Sequence, residues 1–181
     1  MSPTPIYGPP MRPQGGFFDP VTGAPLASWG KRFGARLLDG IFIGVPTSIL
    51  TILYFVVLSN SLNNTSTYDA AANDRAIGEI LFGWFAIPMI FNLLAFVYYI
   101  CFIGGPKGQT LGMRVVKIRV RDAGDPGSPI GYGRSFMRMM VQVAFGIFMV
   151  PLLLDYLAPL WTPRRQCWHD QAVSSIVVDL A

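Results

Sequence analysis

Charge is what this sequence has least of. Only 13% of its 181 residues are Asp, Glu, Lys or Arg, against 52% hydrophobic residues, and an ordinary soluble domain carries roughly 25% charged residues. A soluble core is therefore not what the composition describes. Cysteine is scarce too. Cys101 and Cys167 are the only two, which excludes a disulfide framework and offers no metal-ligand spacing. A single histidine, His169, cannot build a metal site by itself. The glycine-rich stretch at 104–112 lacks the lysine-then-hydroxyl ending that cradles a phosphate, and no strand precedes it. No short apolar segment with a small-residue cleavage site precedes the first long apolar run, so a cleaved signal peptide is not expected.

Apolar runs are what the chain has in quantity. Residues 37–59 and 77–103 are each long enough to cross a bilayer hydrocarbon core of roughly 30 Å as a helix. Ahead of them, residues 1–28 hold seven prolines and four glycines, a composition that predicts a disordered cytosolic tail with Tyr7, Phe17 and Phe18 as its sticky residues. Residues 29–181 form the membrane domain. Within the second run, Asn92 is placed to hydrogen-bond across to the first helix. Further on, Val116, Ile118 and Val120 alternate with Lys117, Arg119 and Arg121, which predicts a strand with one apolar and one cationic face. The β-branched Ile176, Val177 and Val178 are candidates to pair with it, and that pairing carries Asp170 toward the first helix.

The remaining apolar stretch, residues 139–161, is interrupted by Pro151, Asp155 and Pro159 and follows a helix expected to start near Ile130 with Ser128 as its cap. Its path follows from the cations. Thirteen of the fourteen Lys and Arg residues fall in the blocks 12–36, 107–138 and 164–165. Two full crossings put the first two blocks on one side, and the excess of positive charge makes that side cytosolic. A third crossing would strand Arg164 and Arg165 outside, whereas a re-entrant hairpin turning at Pro151 keeps them in. The expected fold is thus an α-helical membrane protein: two transmembrane helices plus a broken, re-entrant helical hairpin, with a small cytosolic β-hairpin or sheet.

Ionisable groups at membrane depth are costly, so each marks a site. Asp39 sits near the cytosolic edge of the first run, preceded by Arg32 and Arg36. Arg32 and Asp39 share a helix face about two turns apart. That is too far for direct contact, so a third group bridges them or each has its own partner. Asp39 and Asp155 are the acids a cation or proton carrier would use. His169 beside Asp170 invites a general-base role, but no nucleophile, metal set or cofactor loop accompanies it, so an enzyme is not expected.

Three patterns together resemble the RDD family of small bacterial membrane proteins. They are Arg32-x-x-Ala35-x-x-Leu38-Asp39, then Gly108-Gln109-Thr110-Leu111-Gly112 before a basic strand, and His169-Asp170 before a β-branched end. The resemblance spans about residues 29–179. It implies that the family's arginine and two aspartates are Arg32, Asp39 and Asp170, forming one ion cluster, with Gln109, Thr110, Arg36, Asp155 and His169 as secondary positions. Gln171-Ala172-Val173 follows Asp170, where the family more often shows a basic residue and then a Gly-Thr pair. Two functions are expected of such a protein. One is an accessory or scaffolding component of a membrane complex; the other is a cation or proton transporter acting as an oligomer. No cofactor is implied. The expected partners are anionic lipid headgroups and other membrane proteins or further copies, not nucleic acid, in a bacterial cell membrane with both termini cytoplasmic.

Overall fold

Two helices of 35 residues each form the long axis of the molecule: α1 (Trp29–Asn63) and α2 (Ala70–Gly104). The computed structural model describes residues 16–63 and 70–180. At 1.5 Å per residue each helix is about 52 Å long, well over the roughly 30 Å hydrocarbon core. Both carry a segment long and apolar enough to cross a membrane, Trp29–Asn60 and Ile77–Gly104. They run antiparallel, since Tyr54 hydroxyl donates to Glu79 carbonyl at 2.7 Å near one end and Tyr98 hydroxyl donates to Asp39 at 3.1 Å near the other. Their outer faces are bare apolar side chains. The threonine hydroxyls of α1 are satisfied within their own helix: Thr47 and Thr51 donate to the carbonyls of Ile43 and Thr47 at 2.7 and 2.8 Å. Asn92 does the same, donating to Pro88 carbonyl at 2.8 Å rather than crossing to the first helix as the sequence led one to expect.

A four-stranded antiparallel sheet caps one end, in the order β1-β2-β4-β3. Its strands are β1 (Phe17–Phe18), β2 (Pro25–Leu26), β3 (Ile118–Asp122) and β4 (Ser175–Asp179). The expected pairing is present, with Val120 opposite Val177 and Arg121 opposite Ile176. Two expectations are corrected here. Residues 17–26, read as part of a disordered tail, make a hairpin that docks on β4 through Leu26 opposite Val178; residues 1–15 lie outside the described residues. The cationic strand face is shorter than its alternation implied, because Lys117 takes a left-handed φ of 57° and the strand begins at Ile118. Arg121 is buried, donating to Pro106 carbonyl at 3.0 Å.

The shorter helices are α3 (Leu111–Val115), α4 (Gly131–Gly146), α5 (Met149–Leu157) and α6 (Trp168–Ala172). Ser128 donates to Asp125 at 2.5 Å, and α4 starts from Ile130 without a side-chain cap. α4 lies along α2, and the interrupted apolar stretch is broken into α4 and α5, though not at the expected Pro151. The break is at Ile147 and Phe148, where Phe148 is extended at φ −117° and ψ 113°. Pro151 stands in the first turn of α5, where its missing N–H removes no helical hydrogen bond. Ala27, Ala35, Ile103, Met113, Ile118, Val120, Ile130 and Val177 form the core that joins sheet and helices.

Candidate functional site

The acids named by the sequence sit in two separate sets of bonds. Asp39 is received by the Gly108–Gly112 segment. Thr110 hydroxyl donates to its Oδ2 at 2.6 Å, Gly112 N–H to its Oδ1 at 2.8 Å, and Tyr98 hydroxyl to Oδ1 at 3.1 Å. Thr110 also caps α3 by accepting from Met113 N–H at 3.2 Å. Gly112 has to be glycine on packing grounds, since a Cβ there would run into Ala35 carbonyl and lie 3.0 Å from the Asp39 carboxylate. Gln109 closes the loop on the sheet side, donating to Ile118 carbonyl at 2.8 Å.

Asp170, on α6, is the centre of the second set. Arg32 Nη1 donates to Oδ2 at 2.9 Å and Arg138 Nε to Oδ1 at 2.9 Å, with Arg138 Nη2 at 2.7 Å from the same oxygen. Cys167 N–H adds a bond at 3.2 Å, so Asp170 also caps its own helix. α1, α4 and α6 therefore meet at one carboxylate. Burial acts to raise the Asp170 carboxyl, but the charges of Arg138 and Arg32 outweigh it and hold the group well below the usual carboxylate range.

His169 links this set to α5. Its Nε2 faces two donors, Arg138 Nη2 and Gln142 Nε2, each at 3.0 Å, so Nε2 accepts and the proton sits on Nδ1. Nδ1 then donates to Asp155 Oδ2 at 2.5 Å, and His169 N–H donates to Asp155 Oδ1 at 3.0 Å. Burial and the Arg138 charge push His169 below its ordinary value, which keeps the ring neutral. With no proton on Nε2, its 3.5 Å approach to Asp170 is not an ion pair. Asp155, Cys167 and His169 bring possible metal-ligand atoms within 4.8 Å of one another. The hydrogen bonds already use the histidine lone pair and the carboxylate, and burial, then Asp170, pushes the Cys167 thiol up, favouring its protonated form. Those donors suit a proton-bonded network better than a cation.

The single cluster implied for Arg32, Asp39 and Asp170 is thus corrected: Arg32 joins Asp170, and Asp39 pairs with Thr110, Gly112 and Tyr98 instead. Arg36 pairs with neither acid. Its guanidinium lies over the rings of Tyr99 and Tyr156, 4.9 and 5.4 Å from their centroids.

A family model for RDD proteins matches residues 26–174, most of the chain. The chain belongs to the RDD family. RDD proteins are bacterial membrane proteins, and the two long apolar helices agree with that class. Among curated relatives, this RDD chain is 28% identical over 158 residues to the proline-rich antigen of Mycobacterium leprae, covering 84% of its own length and 60% of the relative's. It is 25% identical over 154 residues to a proline-rich antigen homolog of Mycobacterium tuberculosis, covering 80% of this chain and 61% of that one. The chain spans about three fifths of the length of these relatives. No solved structure matches it.

Sequence reasoning missed several residues of the site. Arg138, Gln142, Tyr98 and Gly112 all make direct bonds to the named positions. A usable signal existed for two of them. Arg138 and Gln142 lie four residues apart, on one face of an otherwise apolar helix segment, and both are buried.

Proposed function

We propose that this RDD protein is a non-catalytic accessory or scaffolding component of a membrane complex in the bacterial cell membrane. The observation that carries this reading is that Asp39, Asp155 and Asp170 are fully buried and each accepts several hydrogen bonds from within the chain. A carrier needs acids that exchange protons or cations with water, whereas these acids fasten elements to one another. The sheet, α3 and α6 become a fixed platform on the ends of α1 and α2.

The charge arrangement supports a cytosolic platform with both termini on that side. Arg75 is the one described Lys or Arg at the far end of the helix pair, beside Asp74 and Glu79, while the others lie toward the sheet. On this reading α4 and α5 re-enter rather than cross, and the exposed cations at the sheet end meet anionic headgroups. The outward row Gly40, Gly44 and Ser48 on α1 supports association with another transmembrane helix, since the space beside both glycines is open.

Purification in mild detergent tests the reading, with proteoliposome flux as the second arm. A stoichiometric membrane-protein partner or a defined homo-oligomer, with no cation or proton movement, is the expected result. Sodium- or pH-dependent flux by the purified protein would overturn it in favour of transport.

A further inference from the structure

The acids of the buried network are saturated, but its arginines are not. Arg32 Nε and Nη2 and Arg138 Nη1 are buried with no hydrogen-bond partner among the described residues. Leaving such charged donors unmet is costly, more so than for neutral groups. Three guanidiniums gather here, those of Arg32, Arg36 and Arg138, and Asp170 is the one carboxylate within ion-pair distance of any of them among the described residues. Asp155, the next acid, is taken up by His169.

These arginines line a cavity of ≈ 440 Å³ among α1, α4, α5 and α6, with Met113, Ile118 and Val177 also in its wall, within the roughly 300–1,000 Å³ range of small-molecule sites. The rest of the wall is apolar or aromatic, including Trp29, Phe33, Leu153 and Tyr156. Phe33 and Leu153 are exposed at 57% and 56%, so the cavity opens at these two residues onto the outer surface beside α1. Trp29 is held in the wall, stacked on Phe33 at 5.3 Å and donating to Tyr156 carbonyl at 2.9 Å. Guanidiniums in the wall and an apolar exit toward the bilayer describe an anionic amphiphile, since planar guanidiniums suit phosphate oxygens.

We propose that this cavity binds an anionic phospholipid, with its phosphate at Arg32, Arg36 and Arg138 and an acyl chain leaving between Phe33 and Leu153. The site rests on α1 being in a membrane and is independent of the scaffolding role. It adds a specific pocket to the general attraction between basic surfaces and acidic headgroups.

The test uses the full chain in nanodiscs and in detergent, with native mass spectrometry counting retained lipid. Phosphatidylglycerol is expected to stay bound and to raise the melting temperature, and phosphatidylcholine to do neither. Arg36→Gln, which breaks no ion pair, is expected to weaken retention roughly tenfold, as for loss of one charge-assisted hydrogen bond. Leu153→Trp is expected to block retention by filling the exit while leaving every arginine in place. Lys107→Gln, at an exposed position outside the cavity, is the control and is expected to change nothing. Equal retention of the two lipids, or an Arg36→Gln variant that folds and keeps its lipid, would overturn the proposal. So would equal stabilisation by inorganic phosphate or a fatty acid, which would assign the cavity to a free anion or a carboxylate.

Discussion

Arg138 grips one oxygen of Asp170 with two nitrogens, Nε at 2.9 Å and Nη2 at 2.7 Å, and both side chains are almost wholly removed from water. Arg32 holds the other oxygen from α1. A carboxylate shared this way can order three elements that are far apart in the sequence, because guanidinium supplies directional donors as well as charge. Removing one partner of such a buried pair leaves the other uncompensated.

The Asp39 clamp predicts a comparable sensitivity at glycine. Gly112→Ala pushes a methyl group into Ala35 carbonyl and the Asp39 carboxylate, so α3 must move off α1. Asp39→Asn keeps the shape but offers an amide to Thr110 and Gly112, both of which donate. Each substitution is expected to destabilise by about 1–3 kcal/mol, the cost of leaving a buried donor or acceptor unmet. Thermal unfolding in detergent, followed by tryptophan fluorescence, measures it. Wild-type melting in both variants would remove the clamp from the account.

Acid should loosen the network through His169. Its value is lowered in the folded protein by burial and Arg138, while the unfolded chain titrates near the ordinary 6.5. Below that pH the unfolded state binds a proton that the folded state refuses, so stability is full above about 6.5 and falls as pH drops. Melting temperature is expected to decline between about pH 6.5 and pH 5, and His169→Gln to flatten that decline. A slope unchanged by His169→Gln would place its origin elsewhere. The depressed Asp170 carboxyl acts only at lower pH, as pH falls below its unfolded value of 3.8.

The N-terminal hairpin has its own acid threshold. Arg164 holds Asp19 with two bonds of 2.7 Å, and Thr22 adds two more. Burial acts to raise the Asp19 carboxyl, but Arg164 and Thr22 hold it at about 2, against 3.8 unperturbed. The stabilisation is present above about 3.8 and is lost as pH falls toward 2. Pepsin is expected to cut within residues 17–28 increasingly over that interval, and Arg164→Gln to expose the same bonds to a neutral protease. Resistance of the Arg164→Gln hairpin would show that strand pairing alone retains it.

Legibility of the fold followed the range of the signal. The long apolar runs announced α1 and α2, and the β-branched ends announced the pairing of β3 with β4, because each signal sits within one stretch of chain. The break at Ile147 and Phe148 was not legible. Nothing in Gly146-Ile147-Phe148 forbids a helix as proline does, while Pro151 advertises a break and is harmless in a first turn. The hairpin at residues 17–26 was hidden by composition, since the cation that pairs with its Asp19, Arg164, lies 145 residues away.

The site was legible in the same uneven way. Arg32 and Asp170 were singled out through the family resemblance, and the β-branched strand was expected to carry Asp170 toward α1. That Arg32 and Asp39 have separate partners was one of the two readings their spacing allowed; the identity of those partners was not legible, with Arg138 joining one acid and the Gly108–Gly112 segment the other. Charge alone does not say which cation finds which acid.

A double-mutant cycle on Arg138 and Asp170, read by unfolding free energy in detergent, tests the account most directly. Arg138→Gln and Asp170→Asn are each expected to cost about 3–5 kcal/mol, and the double variant to cost far less than their sum. Additive losses, with coupling under about 0.5 kcal/mol, would contradict a shared ionic lock at the junction of α1, α4 and α6.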